Sequence, residues 1–412
     1  MNIVGIVAEY NPFHKGHEYH LKKAKENSNC DYVAVVMSGN FVQRGEPALI
    51  DKFKRAESAI YGGADLVIEL PMPFSCQNAE LFAKAALTEL KKLNITHLSF
   101  GCENNNLELL KEAALIQINN KNLKHIIKEE LAKGISYPKA LTNAINSISD
   151  NEIGHIINSP NNVLGIEYIK SSINLKGNWD FTPVKRIGKN HNDIDLSGKY
   201  DSATAIRKSI IDGSNKLYSS SITEKSSEMI KKFYCEYNGF NSINRYLNYI
   251  YYKILDLGTN GLNDIYEVSE GLNNKIYSNI FKYNTTDDFI MSLKSKRYTY
   301  SKLRRILLNI LLNIRKSDIK DFMSTDLESS LSTNNSHNNF IKVLAFNDKG
   351  RSILKQSKDS GTYTINKFSD YKKYNLSLDI FNLTNKSTNI YYLPFTNKTT
   401  NDEYIQNAIY VK

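Results

Sequence analysis

Cysteine is scarce, with four residues in 412 (Cys30, Cys76, Cys102 and Cys235), and none form a CxxC pair. That spacing excludes zinc ribbons and a disulfide framework. No apolar run approaches the roughly 20 residues needed to cross a bilayer. The opening MNIVGIVAEYNPFHKGH has a short apolar stretch without a basic n-region or a small-residue cleavage site. The chain therefore reads as soluble and cytoplasmic, with no membrane partner and no protein partner implied. There is no internal repeat, and no carboxylate cluster marks a dedicated metal site.

What is present suffices for a large core. Hydrophobic residues make up 41% of the chain and charged residues 23%, which excludes global disorder. The length fits two or three domains. Net charge is +10, and it is unevenly spread. Residues 1–215 hold 25 basic and 24 acidic groups, whereas 216–412 hold 28 and 19. A neutral first half and a basic second half point to a polyanion docking on the second.

Residues 3–8, 32–37, 66–70 and 96–100 are short apolar runs bounded by Gly, Pro, Asn or Asp, and 181–187 resembles them. They read as buried parallel strands. Segments 17–26, 52–61, 78–93, 107–118 and 163–173 read as helices between or beside them. Such alternation predicts an α/β fold, a doubly wound parallel sheet of Rossmann-like type with right-handed crossovers, over residues 1–215. Residues 216–330 carry helical periodicity, as in Leu303, Ile306, Leu307, Ile310 and Ile314, and read as a helical domain. The polar stretch SSLSTNNSHNN at 329–339 reads as a linker. Residues 331–412 read as a small mixed appendage with strands at 341–346 and 363–365.

The sharpest local signal is His14-Lys15-Gly16-His17, between the first strand and the first helix. In doubly wound sheets ligands sit at the carboxyl ends of strands, where helix N-termini present free N–H groups and a positive dipole end. Two imidazoles three residues apart at such a start can both face an α-phosphate and donate to its developing charge. Gly16 lets the backbone approach a nucleotide. The bland alternative is two surface histidines on an ordinary helix. A second segment, Asp201-Ser202-Ala203-Thr204-Ala205-Ile206-Arg207-Lys208, reads as a capped helix start. Its Ser202 and Thr204 hydroxyls suit phosphate oxygens, and Arg207 one turn on suits their charge. Alone it would be a plain capped helix; beside His14 and His17 it reads as a phosphate site. Lys294, Lys296, Arg297, Lys302, Arg304, Arg305, Arg315 and Lys316 form a basic run without an acidic residue, interleaved with Tyr298 and Tyr300. Basic side chains neutralise phosphates and aromatics stack on bases, although a charge run is commonly a solvated helix face.

HxGH followed by S-x-T-x-x-R resembles the HIGH nucleotidyltransferases. GIVAEYNPFHKGHEYHL at 5–21, MSGNFVQRGEPA at 37–48, DLVIELP at 65–71, SPNNVLGIEY at 159–168, SATAIRK at 202–208, YEVSEGL at 266–272 and KRYTYSKLRR at 296–305 resemble the bacterial tRNA(Met) cytidine acetate ligase family. The likeness covers about the first 350 residues, and the last sixty match loosely. It implies an ATP-dependent ligase that activates acetate as acetyl-adenylate and makes N4-acetylcytidine at the wobble position of elongator tRNA(Met). The catalytic pair would be His14 and His17. The ATP site would be Val7, Ala8, Glu9, Tyr10, Asn11, Pro12, Phe13, His14, Lys15, Gly16, His17, Glu18, Tyr19 and His20, with Gly101, Asn162, Arg186 and Ile187. Ser202, Thr204 and Arg207 would hold phosphates, and Arg297, Arg304 and Arg305 would contact tRNA. Apart from the resemblance, Gln43-Arg44-Gly45-Glu46-Pro47 follows the second strand at the same edge of the sheet, so Arg44 reads either as a cation facing the triphosphate, the acetate or the tRNA, or as a solvated residue of a structural turn. Magnesium would accompany ATP. Two other readings remain: an adenylyltransferase for a small phosphorylated metabolite, which leaves the basic half unexplained, and an RNA-binding protein with a decayed nucleotide fold, which the intact histidines and Arg207 oppose.

Overall fold

The computed structural model describes residues 1–149, 151–187, 200–213, 220–269, 271–324, 339–374, 376, 379–398, 400 and 402–412. Strand β1 (Ile3–Ala8) is followed by helix α1 (Lys15–Ser28) and strand β2 (Tyr32–Ser38). A short antiparallel hairpin, β3 (Phe41–Val42) and β4 (Glu46–Pro47), then leads to α2 (Lys52–Tyr61) and β5 (Leu66–Leu70). After α3 (Ala79–Lys91) the chain enters β6 (His97–Cys102). It then passes through α4 (Leu107–Asn119), α5 (Leu123–Ala132), α6 (Tyr137–Asn146), α7 (Asn151–Ile156) and α8 (Pro160–Asn174) to β7 (Asp180–Lys185). The expected helical segments are present; α5, α6 and α7 lie in a stretch for which the sequence suggested no element.

The sheet order over these strands is β5-β2-β1-β6-β7, all parallel. The chain moves outward from β1 in one direction and then returns to build on its other side. This reversal opens a crevice at the carboxyl ends of β1 and β6, the usual ligand position of such sheets. Residues 3–6 of β1 and all of β5 are buried. That burial is why these segments read as continuous apolar runs rather than alternating ones.

Helix α9 (Ala203–Ile211) starts beside the same edge. The helical region follows, with α10 (Glu224–Tyr237), α11 (Leu247–Asp264), α12 (Leu272–Ser278), α13 (Thr286–Leu293), α14 (Tyr300–Leu312) and α15 (Lys316–Ser324). The apolar stripe read from Leu303 to Ile310 is wholly buried on α14. Apart from Asn339, the expected linker at 329–339 lies outside the described residues.

The C-terminal region supplies β8 (Phe340–Phe346), β9 (Tyr363–Ile365) and β10 (Ile409–Tyr410). Strand β8 joins the main sheet antiparallel to β5, with β9 and β10 parallel to it. The expected small strands thus extend the nucleotide-side sheet. They are fastened by a buried cation: Lys52 Nζ lies 2.7 Å from both Glu69 carboxylate oxygens and also pairs with Glu403. Tyr391 reinforces the junction, its hydroxyl donating to the Ala48 carbonyl at 2.9 Å.

Candidate functional site

The turn from β1 into α1 builds the centre of the crevice. His14 is the N-cap of α1, in extended conformation at φ −144°. Its Nδ1 accepts the Gly16 N–H at 3.0 Å, while the His14 N–H donates to His17 Nδ1 at 3.3 Å. This reciprocal cap satisfies two otherwise orphaned donors. It also fixes both tautomers: with each Nδ1 accepting, the proton of each neutral ring sits on Nε2. The two rings stack at 3.7 Å between centroids, and Tyr10 meets His17 edge-on at 4.9 Å. Burial, then His14, Arg186 and His20, push the His17 pKa well below its ordinary value. The ring is therefore neutral near pH 7.

Gly16 is required by close approach. A Cβ there would lie 2.8 Å from His14 Cε1 and 3.0 Å from Nδ1, displacing the imidazole. His20 extends the array one turn on. Ser99 Oγ donates to the Thr182 carbonyl at 2.8 Å, so His20 Nε2, 3.2 Å from that oxygen, is the donor in their bond. Burial, then Arg186, bring the His20 pKa down to about 4.

The crevice has an envelope of about 500 Å³. It is lined by His14, Gly16, His17, Tyr19 and His20 from the start of α1, by Gly101 of β6, by Val184 to Ile187 at the end of β7, and by Tyr200 and Asp201. Gly101 lies inside β6, which runs to Cys102 rather than ending at residue 100. Arg186 follows β7 and donates its N–H to the Cys102 carbonyl at 2.9 Å.

The remaining members of the 7–20 segment divide by role. Tyr10, Asn11, Pro12 and Phe13 are buried and hold the turn. Asn11 Oδ1 accepts the Leu49 N–H at 2.8 Å. Val7 and Ala8 finish β1, Glu18 is exposed, and the Lys15 N–H donates to the Ser221 carbonyl at 2.9 Å. Asn162 is not at the crevice wall. Its Oδ1 accepts the N–H groups of Glu103 and Asn104 at 2.9 and 3.2 Å, and its Nδ2 donates to the Ile156 carbonyl at 3.2 Å. The amide expected to reach a nucleotide is here spent clamping the loop after β6.

Helix α9 docks against the same turn. Ser202 caps it by accepting the Ala205 N–H at 3.0 Å. Arg207 Nη1 donates to the Asn11 carbonyl at 2.8 Å, and Nη2 lies 3.4 Å from Thr204 Oγ1 and 3.0 Å from Glu46 Oε1. The hairpin thus meets the phosphate motif through Glu46. Burial pushes the Glu46 pKa up, but Arg207 and Arg304 outweigh it and hold the carboxyl below its ordinary value. At Glu9 burial prevails over the opposing pull of Arg44, and the carboxyl is held above its ordinary value.

Two of the basic residues read as tRNA contacts do not face open solvent. Arg304 pairs with Glu46, and Arg305 Nε lies 3.3 Å from Glu267 Oε2. Both arginines lie on the α14 face packed against the hairpin, because Leu303, Ile306 and Leu307 bury the adjacent stripe. Lys294, Lys296 and Arg297, just before α14, are exposed. Sequence reasoning overlooked Arg55, which is fully buried on α2. Its guanidinium donates to the carbonyls of Glu9, Ser38, Gly39 and Ile50, pinning the ends of β1 and β2. Its neighbours on the same helix face, Asp51, Lys52 and Ser58, are also polar, so the sequence pattern does not single it out. Among the described residues no group of three or more His, Cys, Asp or Glu could hold a metal ion.

A parallel sheet with its crevice beside β1, and a paired-histidine cap opening α1, define a nucleotidyltransferase of the HIGH type. The HIGH Nucleotidyl Transferase profile matches residues 1–406. A tRNA(Met) cytidine acetate ligase of Clostridium perfringens is 40% identical over 424 aligned residues, covering 99% of each chain. One from Thermoanaerobacter is 38% identical, covering 97% of each. The chain belongs to the tRNA(Met) cytidine acetate ligase family. Its fold superposes on the Thermotoga maritima TmcAL crystal structure without ligand at TM-score 0.92, and on the form bound with alpha-thio ATP at 0.89. Both are 30% identical and covered completely.

Proposed function

We propose that this protein is an ATP-dependent ligase that activates acetate and transfers the acetyl group to N4 of the wobble cytidine of elongator tRNA(Met). In the first step an acetate oxygen attacks the α-phosphorus of ATP. The bond to the bridging oxygen breaks, releasing pyrophosphate and leaving acetyl-adenylate. In the second step the cytidine N4 attacks the acetyl carbon, AMP departs and N4 loses a proton. No protein nucleophile is needed.

The observation that carries this reading is the reciprocal cap of His14 and His17, which commits both Nε2–H groups as donors at the N-terminus of α1. Donors fixed before the reaction stabilise charge that develops on the α-phosphate, at no cost in reorganisation. Arg207 and the α9 start take the β- and γ-phosphates. Gly101, Arg186 and Ile187 border the adenosine, the 7–20 segment shapes the walls, and Asn162 acts only through the loop after β6 that it clamps. Magnesium would accompany the triphosphate and would neutralise phosphate charge there; among the described residues no group of three or more His, Cys, Asp or Glu could hold it. Transfer RNA docks on the basic second half, with Arg297 and its exposed lysine neighbours meeting the phosphate backbone. The test is acetate-dependent exchange of labelled pyrophosphate into ATP without tRNA; absence of exchange sinks the first step.

A further inference from the structure

The hairpin β3–β4 has no part in the chemistry just described, yet it lies between α9, which carries Arg207, and α14. Gly45 has φ +77°, and a Cβ there would come within 2.6 Å of the Arg305 nitrogen and 2.7 Å of the Arg304 carbonyl carbon. The turn therefore rests directly on the backbone of α14. Glu46, next in sequence, touches Arg304 on one side and Arg207 on the other. Arg207 in turn holds the Asn11 carbonyl, three residues before His14.

A second path joins the same elements. On α14, Asn309 Oδ1 accepts from Gln77 Nε2 at 3.1 Å, and the Gln77 carbonyl accepts from Gln43 Nε2 at 3.0 Å. The Gln43 N–H then donates to Glu9 Oε1 at 2.9 Å. Helix α14 is thus tied to residues 9 and 11, on both sides of Tyr10, whose ring packs on His17.

We propose that Glu46 is a positioning residue that couples α14 to adenylate formation. Its pairing with Arg304 aims its carboxylate at Arg207, and Arg207 so held fixes the turn that presents His14 and His17. This inference rests on the ligase reading. It gives the basic helix a role in the first step, before any RNA is bound. A merely structural ion pair would contribute to folding and leave turnover alone. Misplacement of catalytic donors by about 1 Å can cost about 100-fold, and a hinge this indirect should cost about tenfold.

The test uses the full chain, acetate-dependent pyrophosphate exchange and ATP affinity, all without tRNA. R304Q should lower kcat about tenfold while the ATP Kd moves less than about threefold, since no contact to the nucleotide is removed. R304K, which keeps the charge, should recover most of the loss. The double variant E46Q/R304Q should be no worse than E46Q alone, because both act through one bridge. Unfolding curves accompany each variant. Should R304Q fail to fold, E46D, which shortens the bridge and keeps its charge, carries the same expectation. Wild-type kcat in R304Q or E46D, or losses that multiply in the double variant, overturn the coupling. A wild-type chain without acetate-dependent exchange overturns the ligase reading instead.

Discussion

Replacing His14 by Asn and by Ala separates its two roles. As N-cap, His14 accepts the Gly16 N–H at 3.0 Å. Asn is among the best N-caps, whereas Ala cannot accept the bond and costs about 1 kcal/mol. His14→Asn should thus unfold close to wild type and His14→Ala measurably earlier. Neither places a donor where Nε2 now points, about one bond farther out than an Asn side chain reaches. Loss of one preorganised donor to a developing oxyanion costs on the order of 100- to 1000-fold, or about 3–4 kcal/mol. Both variants should therefore lose acetate-dependent pyrophosphate exchange by at least about 100-fold, while ATP affinity falls much less, because the charge is present chiefly in the transition state. Denaturant curves, exchange rates and ATP titrations on the three proteins make the comparison. His14→Asn with near wild-type exchange, or with equal losses in affinity and rate, would refute the reasoning.

Lys52→Met should destabilise the fold by about 3–5 kcal/mol, since it strands Glu69 and Glu403 as buried carboxylates; an unchanged denaturation midpoint would contradict the fastening of the C-terminal region. His20 binds a proton near pH 4 in the fold but near 6.5 when unfolded, so acid favours unfolding between those values. Wild-type stability should fall as pH drops from about 6.5 to 4, and His20→Gln, which keeps a donor for Ser99 without titrating, should show a shallower fall. Removing Lys294, Lys296 and Arg297 together should weaken tRNA binding and flatten its salt dependence with exchange untouched; an unaltered slope would move the RNA surface elsewhere.

The parts of the site that follow from local chemistry were legible. His14 and His17 are three residues apart at a helix start, and that spacing alone makes the reciprocal cap possible. Ser202 as a cap and Arg207 five residues on likewise stand at one helix start. The apolar runs gave the parallel strands because burial on both faces leaves no alternation. What escaped notice depends on partners far along the chain. Arg304 looks like a free cation until Glu46 is placed against it, across 258 residues. Asn162 looks like an available amide until the loop after β6 consumes it. The pairing of β8 with β5 matches Val343 to Ile68, and nothing near either residue announces it. Arg55 resembles any surface arginine of an amphipathic helix, although four carbonyls surround it.

A ligase of the proposed kind joins acetate to tRNA with cleavage of ATP. Purified protein, ATP and elongator tRNA(Met) can be incubated with labelled acetate or, separately, with labelled acetyl-CoA, and the tRNA digested to nucleosides. Label should enter N4-acetylcytidine from acetate alone, with AMP and pyrophosphate released. Label arriving from acetyl-CoA, or none in cytidine from acetate, would contradict the ligase reading.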